Sequence, residues 1–120
     1  MMEPLRYVIL RHDGVSEPHF DLMIETYAGS MLSTWRLQQW PIDQRAEATR
    51  LRDHRRLYLD YEGEIGGHRG FVHRVAEGNC EVAVGEENVW TVKLLSGAPP
   101  QTFSLKPIDA ERWEISTSQS

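Results

Sequence analysis

The stretch RHDGVSEPHFDLMIE, residues 11–25, alternates polar and apolar side chains from His19 onward. Side chains two positions apart on a β-strand point to the same face of the sheet. One face of this predicted strand carries an apolar stripe typical of a protein core: Phe20, Leu22 and Ile24. The other face carries His19, Asp21 and Met23, which is an unusual set for a strand that simply faces water.

The H-x-D pair of His19 and Asp21 can place a nitrogen and an oxygen ligand on one metal ion. His12 precedes the turn-like residues DGVSEP and can fold back beside the pair. Two imidazoles and one carboxylate suit manganese, iron or zinc. The alternative from the residues alone is a polar strand face whose histidines are hydrogen-bonded.

The chain has 120 residues, of which 40% are hydrophobic and 26% are charged. This composition predicts one water-soluble domain, residues 1–116, followed by a flexible tail, residues 117–120. No apolar run has the length of a membrane span, and no secretory signal is visible. The single Cys80 excludes an internal disulfide, predicts a cytoplasmic, reducing location, and is expected to be buried.

The formal net charge of -5 argues against a protein that coats nucleic acid without specificity. Five arginines nevertheless cluster in the segment RAEATRLRDHRR, residues 45–56. Such a patch can bind phosphate on a protein that is acidic overall. The alternative is a solvated face that carries some ion pairs.

Closely spaced strand segments, separated by glycine or proline, make up most of the chain. RGFVHRVAE and NCEVAV, for example, are predicted as two strands on either side of Gly78. They predict a mainly β fold, a compact antiparallel β-barrel with one or two short helices. The segment PIDQRAEATRL predicts one of these helices, with Asp43 as its cap and residues 44–48 as its body. DAER, residues 109–112, is expected to form a single turn. Trp35, Trp90 and Trp113 are expected in the core, and Trp40 at its edge.

A second informative stretch, RDHRRLYLDYEGEIGGHRG, runs over residues 52–70 and contains His54, Tyr58 and His68. The spacing of His54 and Tyr58 suits a loop that directs both side chains to one place. Imidazole and phenol groups both donate hydrogen bonds to phosphoryl oxygens. His68 and His73 are expected to be structural or surface histidines, although His68 lies in a glycine-rich loop that can line a cavity mouth.

Together the two stretches resemble the 3′-phosphoesterase module of bacterial ATP-dependent DNA ligases of non-homologous end joining, which also occurs alone. The family segments KHDA…LHYDFRLE and V-E-D-H-P-L-D-Y…F-E-G are similar to RHDGVSEPHFDLMIE and LRDHRRLYLDYEG here. TWRLQQW, GFVHRVAEGNCEV and FSLKP…RWEI extend the resemblance over nearly the whole chain. Its most specific parts are the H-x-D motif and D-H-x-x-x-Y-x-x-x-E-G, residues 53–63.

The resemblance implies a divalent metal, manganese in most members and with zinc as an alternative, held by His12, His19 and Asp21. It implies that His54 contacts the scissile phosphate or assists proton transfer, and that Tyr58 donates to a phosphate oxygen or the metal shell. The implied reaction is hydrolysis at a DNA or RNA 3′ end during repair, with removal of a 3′-phosphate or a terminal ribonucleotide. A DNA ligase or polymerase is an implied partner.

The chain departs from the family pattern at its cationic positions. Met23 replaces an arginine, Gln39 replaces a lysine, and another family arginine falls near Ala46. Substitutes for these cations and other candidate substrate contacts are Arg36, Arg50, Arg52, Arg69, Arg74 and His68. The departures leave two alternatives: a weakened member that binds metal or nucleic-acid ends without turnover, and a phosphoesterase for small phosphate esters.

Overall fold

Nine β-strands and two single 3-10 turns make up the computed structural model, which describes residues 4–97 and 101–117. The first four strands are β1 (Leu5–Asp13), β2 (His19–Glu25), β3 (Leu32–Leu37) and β4 (Arg45–His54). A 3-10 turn, Arg56–Leu59, and the short β5 (Gly63–Glu64) follow. The remaining strands are β6 (Phe71–Val84), β7 (Trp90–Leu94), β8 (Gln101–Pro107) and β9 (Arg112–Thr117), with the second turn, Glu86–Asn88, before β7.

Eight of these strands close into an antiparallel barrel in the order β1-β2-β3-β4-β9-β8-β7-β6, and β5 pairs with the outer edge of β6. The pairing of β1 with β6 closes the barrel, from Leu5 opposite Cys80 to Asp13 opposite Phe71. The predicted antiparallel β-barrel is therefore confirmed. No helix in the described ranges is long and apolar enough to cross a membrane.

The barrel wall at β1 and β2 is buried on both of its faces. The interior holds one core, which includes Tyr7, Ile9, Leu22 and Ile24. A second, outer core lies against the opposite face of the wall and contains Val8, Leu10, Met23, Leu32, Leu59 and Val72. Burial on both faces explains why these strands contain the continuous apolar runs YVIL and LMI rather than a strict alternation.

The segment between β4 and β6, residues 55–70, covers the outer core and is called here the covering segment. Tyr58, Tyr61 and Ile65 of this segment pack against the outer core. Arg56 reaches the buried carboxylate of Glu25 at the end of β2, with 2.6 Å between Nη1 and Oε2. The covering segment therefore stands over the outer face of β1 and β2, next to the residues of the candidate site.

The predicted helix over residues 44–48 is wrong, because this region begins β4. Ala48 pairs with Leu37 of β3 on one side and with Trp113 of β9 on the other. Ala46, Ala48 and Arg50 are two residues apart, which is the spacing of side chains on one face of a strand. The closed barrel needs a strand between β3 and β9, and this requirement outweighs the helix propensity of residues 44–48. Residues 109–111 of the DAER segment lie in the hairpin loop between β8 and β9, and Arg112 begins β9. Asp109 Oδ1 accepts a hydrogen bond from the backbone N–H of Arg112 at 3.0 Å.

The side-chain predictions for the barrel interior agree with the structure. Trp35, Trp90, Trp113 and Cys80 are buried, and Trp40 is half-buried against the same core. The Trp35 ring packs edge-on against Trp90 and Trp113, with centroid distances of 4.9 and 5.5 Å. The predicted tail began at Thr117, but Thr117 belongs to β9, and residues 118–120 lie outside the described residues.

Gly78 lies inside one continuous strand, β6, although the sequence pattern predicted two strands separated at this glycine. A Cβ atom on Gly78 would overlap the backbone carbonyl of Ser96. The hydroxyl oxygen Oγ of Ser96 also accepts a hydrogen bond from the backbone N–H of Asn79, at 2.9 Å. Glycine is thus required here for the close approach of two backbones and not for a turn.

We expect Gly78→Ala to lower the free energy of unfolding by about 1–3 kcal/mol, because the new methyl group forces two backbones apart. Gly85→Ala is the matched control, since the nearest atom to its added Cβ is 3.7 Å away, and its effect should stay within about 0.5 kcal/mol. Urea unfolding measures both variants. Equal stability of the two variants would contradict the close-approach explanation.

Candidate functional site

The three predicted metal ligands meet on the outer face of the barrel wall. His12 of β1 lies directly opposite His19 of β2, and Asp21 follows two residues later on the same face. One ligand atom from each of the three residues lies within 4.8 Å of the others. His19 Nε2 is 3.4 Å from Asp21 Oδ1, and His12 Nδ1 is 3.8 Å from Asp21 Oδ2. The group could therefore hold one metal ion.

Backbone carbonyls orient both imidazoles. His12 Nε2 is 2.7 Å from the carbonyl oxygen of Arg69, and His19 Nδ1 is 2.8 Å from that of Glu17. Because a carbonyl oxygen only accepts, the nitrogen that faces it must carry the proton and donate. In the neutral rings, the lone pairs are consequently on His12 Nδ1 and His19 Nε2, the two nitrogens nearest Asp21. Such hydrogen bonds to the second nitrogen are characteristic of metal-ligating histidines.

Two atoms of the group are buried without any hydrogen-bond partner: His19 Nε2 and Asp21 Oδ1. Their residues are 3% and 5% exposed. A buried polar atom without a partner is costly for a folded protein, and a bound cation would satisfy both atoms at once. Two nitrogens and one carboxylate oxygen also match the donors preferred by divalent transition metals. The residues present therefore fit a divalent metal.

The protonation of His19 reflects its position beside Asp21. Burial lowers the pKa of His19, but the interactions with Asp21 and with the Glu17 carbonyl outweigh it, so the pKa is raised above the usual value. The positive charge of Arg36 acts in the opposite direction and lowers the pKa. A divalent cation at this place would compete with a proton for His19 Nε2, so metal binding should weaken as the pH falls.

A cavity of about 160 Å³ opens beside the ligand group. His12, Asp21 and Met23 line it from the barrel wall, and His54 and Tyr58 line it from the end of β4 and the first 3-10 turn. The rings of His54 and Tyr58 lie 5.9 Å apart. His54 Nδ1 donates to the carbonyl oxygen of Arg52 at 2.9 Å, so His54 Nε2 remains free to interact with a ligand. Ile65, Arg69 and Val72 complete the lining.

Met23 lines the same cavity as His12 and Asp21. This placement follows from the strand register, because Met23 continues the outer face of β2 beyond Asp21. Its side chain also belongs to the outer core, and the residue is 2% exposed. An apolar side chain therefore forms this part of the cavity wall.

A wider cleft of about 450 Å³ adjoins the cavity and shares three of its residues: His54, Tyr58 and Arg69. Arg52 and Arg55 add two exposed cations to its lining, and Met31 adds an exposed apolar side chain. A cleft with three arginines attracts anionic groups even on an acidic protein. The sequence analysis named Arg52 and Arg69 as substrate contacts, and it included Arg55 only as a member of the arginine cluster of residues 45–56.

The remaining predicted substrate contacts fall in different places. Arg36 lies directly opposite Asp21 across β2 and β3, and its Nε atom is buried without a partner. Arg50 is not at the site: its guanidinium stacks on the Trp35 ring at 4.3 Å and donates to the carbonyl of Thr34. Burial there lowers the pKa of Arg50.

Two further predicted contacts are also away from the ligand group. His68 lines a separate cleft with Gly14, Phe71 and the glycines of its own loop. Arg74 forms ion pairs with Glu62 and Glu77, at 3.3 and 2.8 Å. Neither side chain lines the cavity beside His12 and Asp21, so neither supplies a cation there.

Comparison with known proteins adds no relative to this description. Neither protein-family models nor curated proteins yield a match to the chain.

We expect His19→Ala to reduce manganese or zinc affinity at least about 100-fold, because it removes a ligand and leaves Asp21 buried beside a void. His54→Ala should leave the metal affinity close to that of the parent chain. His73→Ala, a change on the surface, serves as the control. Isothermal titration measures the three variants, and an equal loss for His54→Ala would make His54 a ligand as well.

The Arg69 carbonyl reaches His12 only because Gly70 brings the chain close to β1. Gly70 has a φ of +83°, and a Cβ there would overlap the carbonyl of Asp13. Gly70→Ala should therefore move the loop and lower metal affinity by about 10–100-fold. Gly66→Ala is the matched control, since an added Cβ meets no atom within 4 Å. Unchanged affinity for Gly70→Ala would show that the Arg69 carbonyl does not support His12.

Proposed function

We propose that this protein is a metal-dependent phosphoesterase that acts on the 3′ ends of DNA or RNA in repair. It would be a stand-alone relative of the 3′-phosphoesterase modules of bacterial ATP-dependent DNA ligases. The observation that carries the proposal is the convergence of His12 Nδ1, His19 Nε2 and Asp21 beside a cavity lined by His54 and Tyr58. The two unpartnered buried atoms, on His19 and Asp21, support a bound cation at this place.

The ligand group would hold the divalent metal, with manganese the leading candidate and zinc the alternative. When bound, the metal would neutralise charge on the phosphoryl oxygens and favour ionisation of a water molecule. His54 presents its free Nε2 to the cavity, where it can donate to a phosphate oxygen or take up a proton. Tyr58 would donate its hydroxyl proton to a second phosphate oxygen.

Other residues of the chain would bind the substrate outside the ligand group. Arg52, Arg55 and Arg69 would attract the flanking phosphates of a nucleic-acid strand to the wider cleft. Arg36 would supply positive charge beside Asp21 from the neighbouring strand. We also propose a cytoplasmic location, which the single free thiol of Cys80 favours. A DNA ligase or polymerase partner is proposed from the resemblance alone.

A second candidate function is binding of metal or nucleic-acid ends without turnover, or hydrolysis of small phosphate esters. The apolar side chains of Met23, Ile65 and Val72 favour it, because they occupy cavity positions where cationic groups would stabilise a transition state. The formal net charge of -5 favours it as well. Measured turnover on a nucleic-acid end distinguishes it from the leading proposal.

The decisive experiment incubates the chain and manganese with primers that end in a 3′-phosphate or a 3′-ribonucleotide. We expect shortened or dephosphorylated primers, and loss of the product with a chelator. His54→Ala should reduce the rate by about 100-fold or more while manganese stays bound, and His73→Ala should retain the parent rate. The proposed function would be contradicted if the product formed at the same rate with the chelator present and in the His54→Ala variant.

A further inference from the structure

We propose that the site hydrolyses phosphodiesters in preference to phosphomonoesters. The preference rests on the proposed function and narrows its substrate class, which includes both kinds of ester. A phosphomonoester carries a charge of about −1.5 to −2 at pH 7, whereas a diester carries a single negative charge and two organic substituents. The two substrates therefore require different cavity walls and different space around the phosphorus.

The cavity walls away from the ligand group are apolar. Met23 and Val72 are 2% and 3% exposed and belong to the outer core, and Ile65 packs against that core. None of these side chains can donate a hydrogen bond to an anionic oxygen. A second negative charge placed on this side of the cavity would lose its water without gaining a donor, which is unfavourable.

Among the described residues, few cationic side chains are available to compensate the second negative charge of a monoester. Arg69 is the one arginine that lines the cavity, and its Nε already donates to the carbonyl of Gly66 at 2.7 Å. Arg56 is held by Glu25, and Arg74 is held by two glutamates. Within the cavity lining, a monoester dianion would thus find one partly engaged guanidinium besides the metal, His54 and Tyr58. Arg36 lies opposite Asp21 on the neighbouring strand and does not line the cavity.

Space for two substituents exists on the surface next to the cavity. The cleft lined by Arg52, Arg55 and Met31 shares Tyr58 and Arg69 with the cavity. A second cleft of about 410 Å³ also shares Tyr58 and Arg69, and Leu57 and Tyr61 line its wall. A diester has one ester arm for each cleft, and the exposed apolar and aromatic side chains suit sugars and bases. A monoester would fill only one of them.

The reaction would join the oxygen of one water molecule to phosphorus and break one P–O ester bond. One proton of the water ends on the departing oxygen, which leaves as an alcohol. The other ester bond stays intact, so the products are one alcohol and one phosphomonoester. The preference implies that this monoester is released rather than hydrolysed further at an equal rate.

The test compares bis(p-nitrophenyl) phosphate with p-nitrophenyl phosphate, using the full chain loaded with manganese. We expect kcat/KM for the diester to exceed that for the monoester. Met23→Arg and Ile65→Lys should each shift the ratio toward the monoester by roughly tenfold, because a cation on the apolar wall favours the dianion. Met23→Leu, which keeps the wall apolar, should leave the ratio at its parent value.

Ile65→Lys keeps the test valid if Met23→Arg fails to fold, because Ile65 is half-buried on a loop whereas Met23 is buried. A parent chain that prefers the monoester, or folded Arg and Lys variants with the parent ratio, would overturn the preference. Failure to hydrolyse either ester would count against the proposed function instead. The preference is then measured by titrating the manganese-loaded chain with dimethyl phosphate and methyl phosphate, and tighter binding of methyl phosphate would overturn it.

Discussion

The burial of β1 and β2 on both faces is the constraint on which the rest of the structure depends. The inner face forms part of the barrel core, and the outer face exposes Val8, Leu10 and Met23 unless another segment covers it. The covering segment meets this requirement and is fixed by Arg56 to Glu25 and by Asp60 to Arg6. The candidate site lies where that cover ends and the polar residues of the same two strands begin.

This arrangement explains why the candidate metal-ligand group lies on the barrel wall rather than inside the barrel. The hairpin register places His12 against His19, and the strand period adds Asp21 to the same face. The covering segment, which packs on the outer face of β1 and β2, then places Tyr58 and the Arg69 carbonyl next to this group. Rigid strands position the ligands, and an irregular segment supplies the groups around them, which is a common division in binding sites.

The sequence predicted the barrel and the ligand group because both follow from local rules. Alternation over two residues identified the faces of β2, and a short turn explained the return of His12. The helix over residues 44–48 was a wrong prediction because the helix-forming residues there are overridden by the need to pair β3 with β9. The sequence pattern predicted two strands separated at Gly78, whereas the structure has one, β6. The reason is that Gly78 is required by its contact with Ser96, and a local pattern does not reveal a contact with a residue so far along the chain.

The less predictable parts of the site depend on distant register and on the backbone. Arg36 and Arg50 looked equivalent in sequence, yet one lies opposite Asp21 and the other stacks on Trp35. Only the alignment of three strands decides between these places. The carbonyls of Glu17 and Arg69, which orient the two imidazoles, carry no side-chain signature that a sequence could reveal.

The hydrogen bond from His12 to the Arg69 carbonyl has a thermodynamic consequence for the loop around Gly70. Binding of a metal and docking of the loop would both require the same orientation of the His12 ring, so each would stabilise the other by linkage. Local opening of the loop would then become rarer as the metal concentration rises, with unchanged barrel contacts. A metal bound by this group would in this way hold the loop closed over one side of its own cavity.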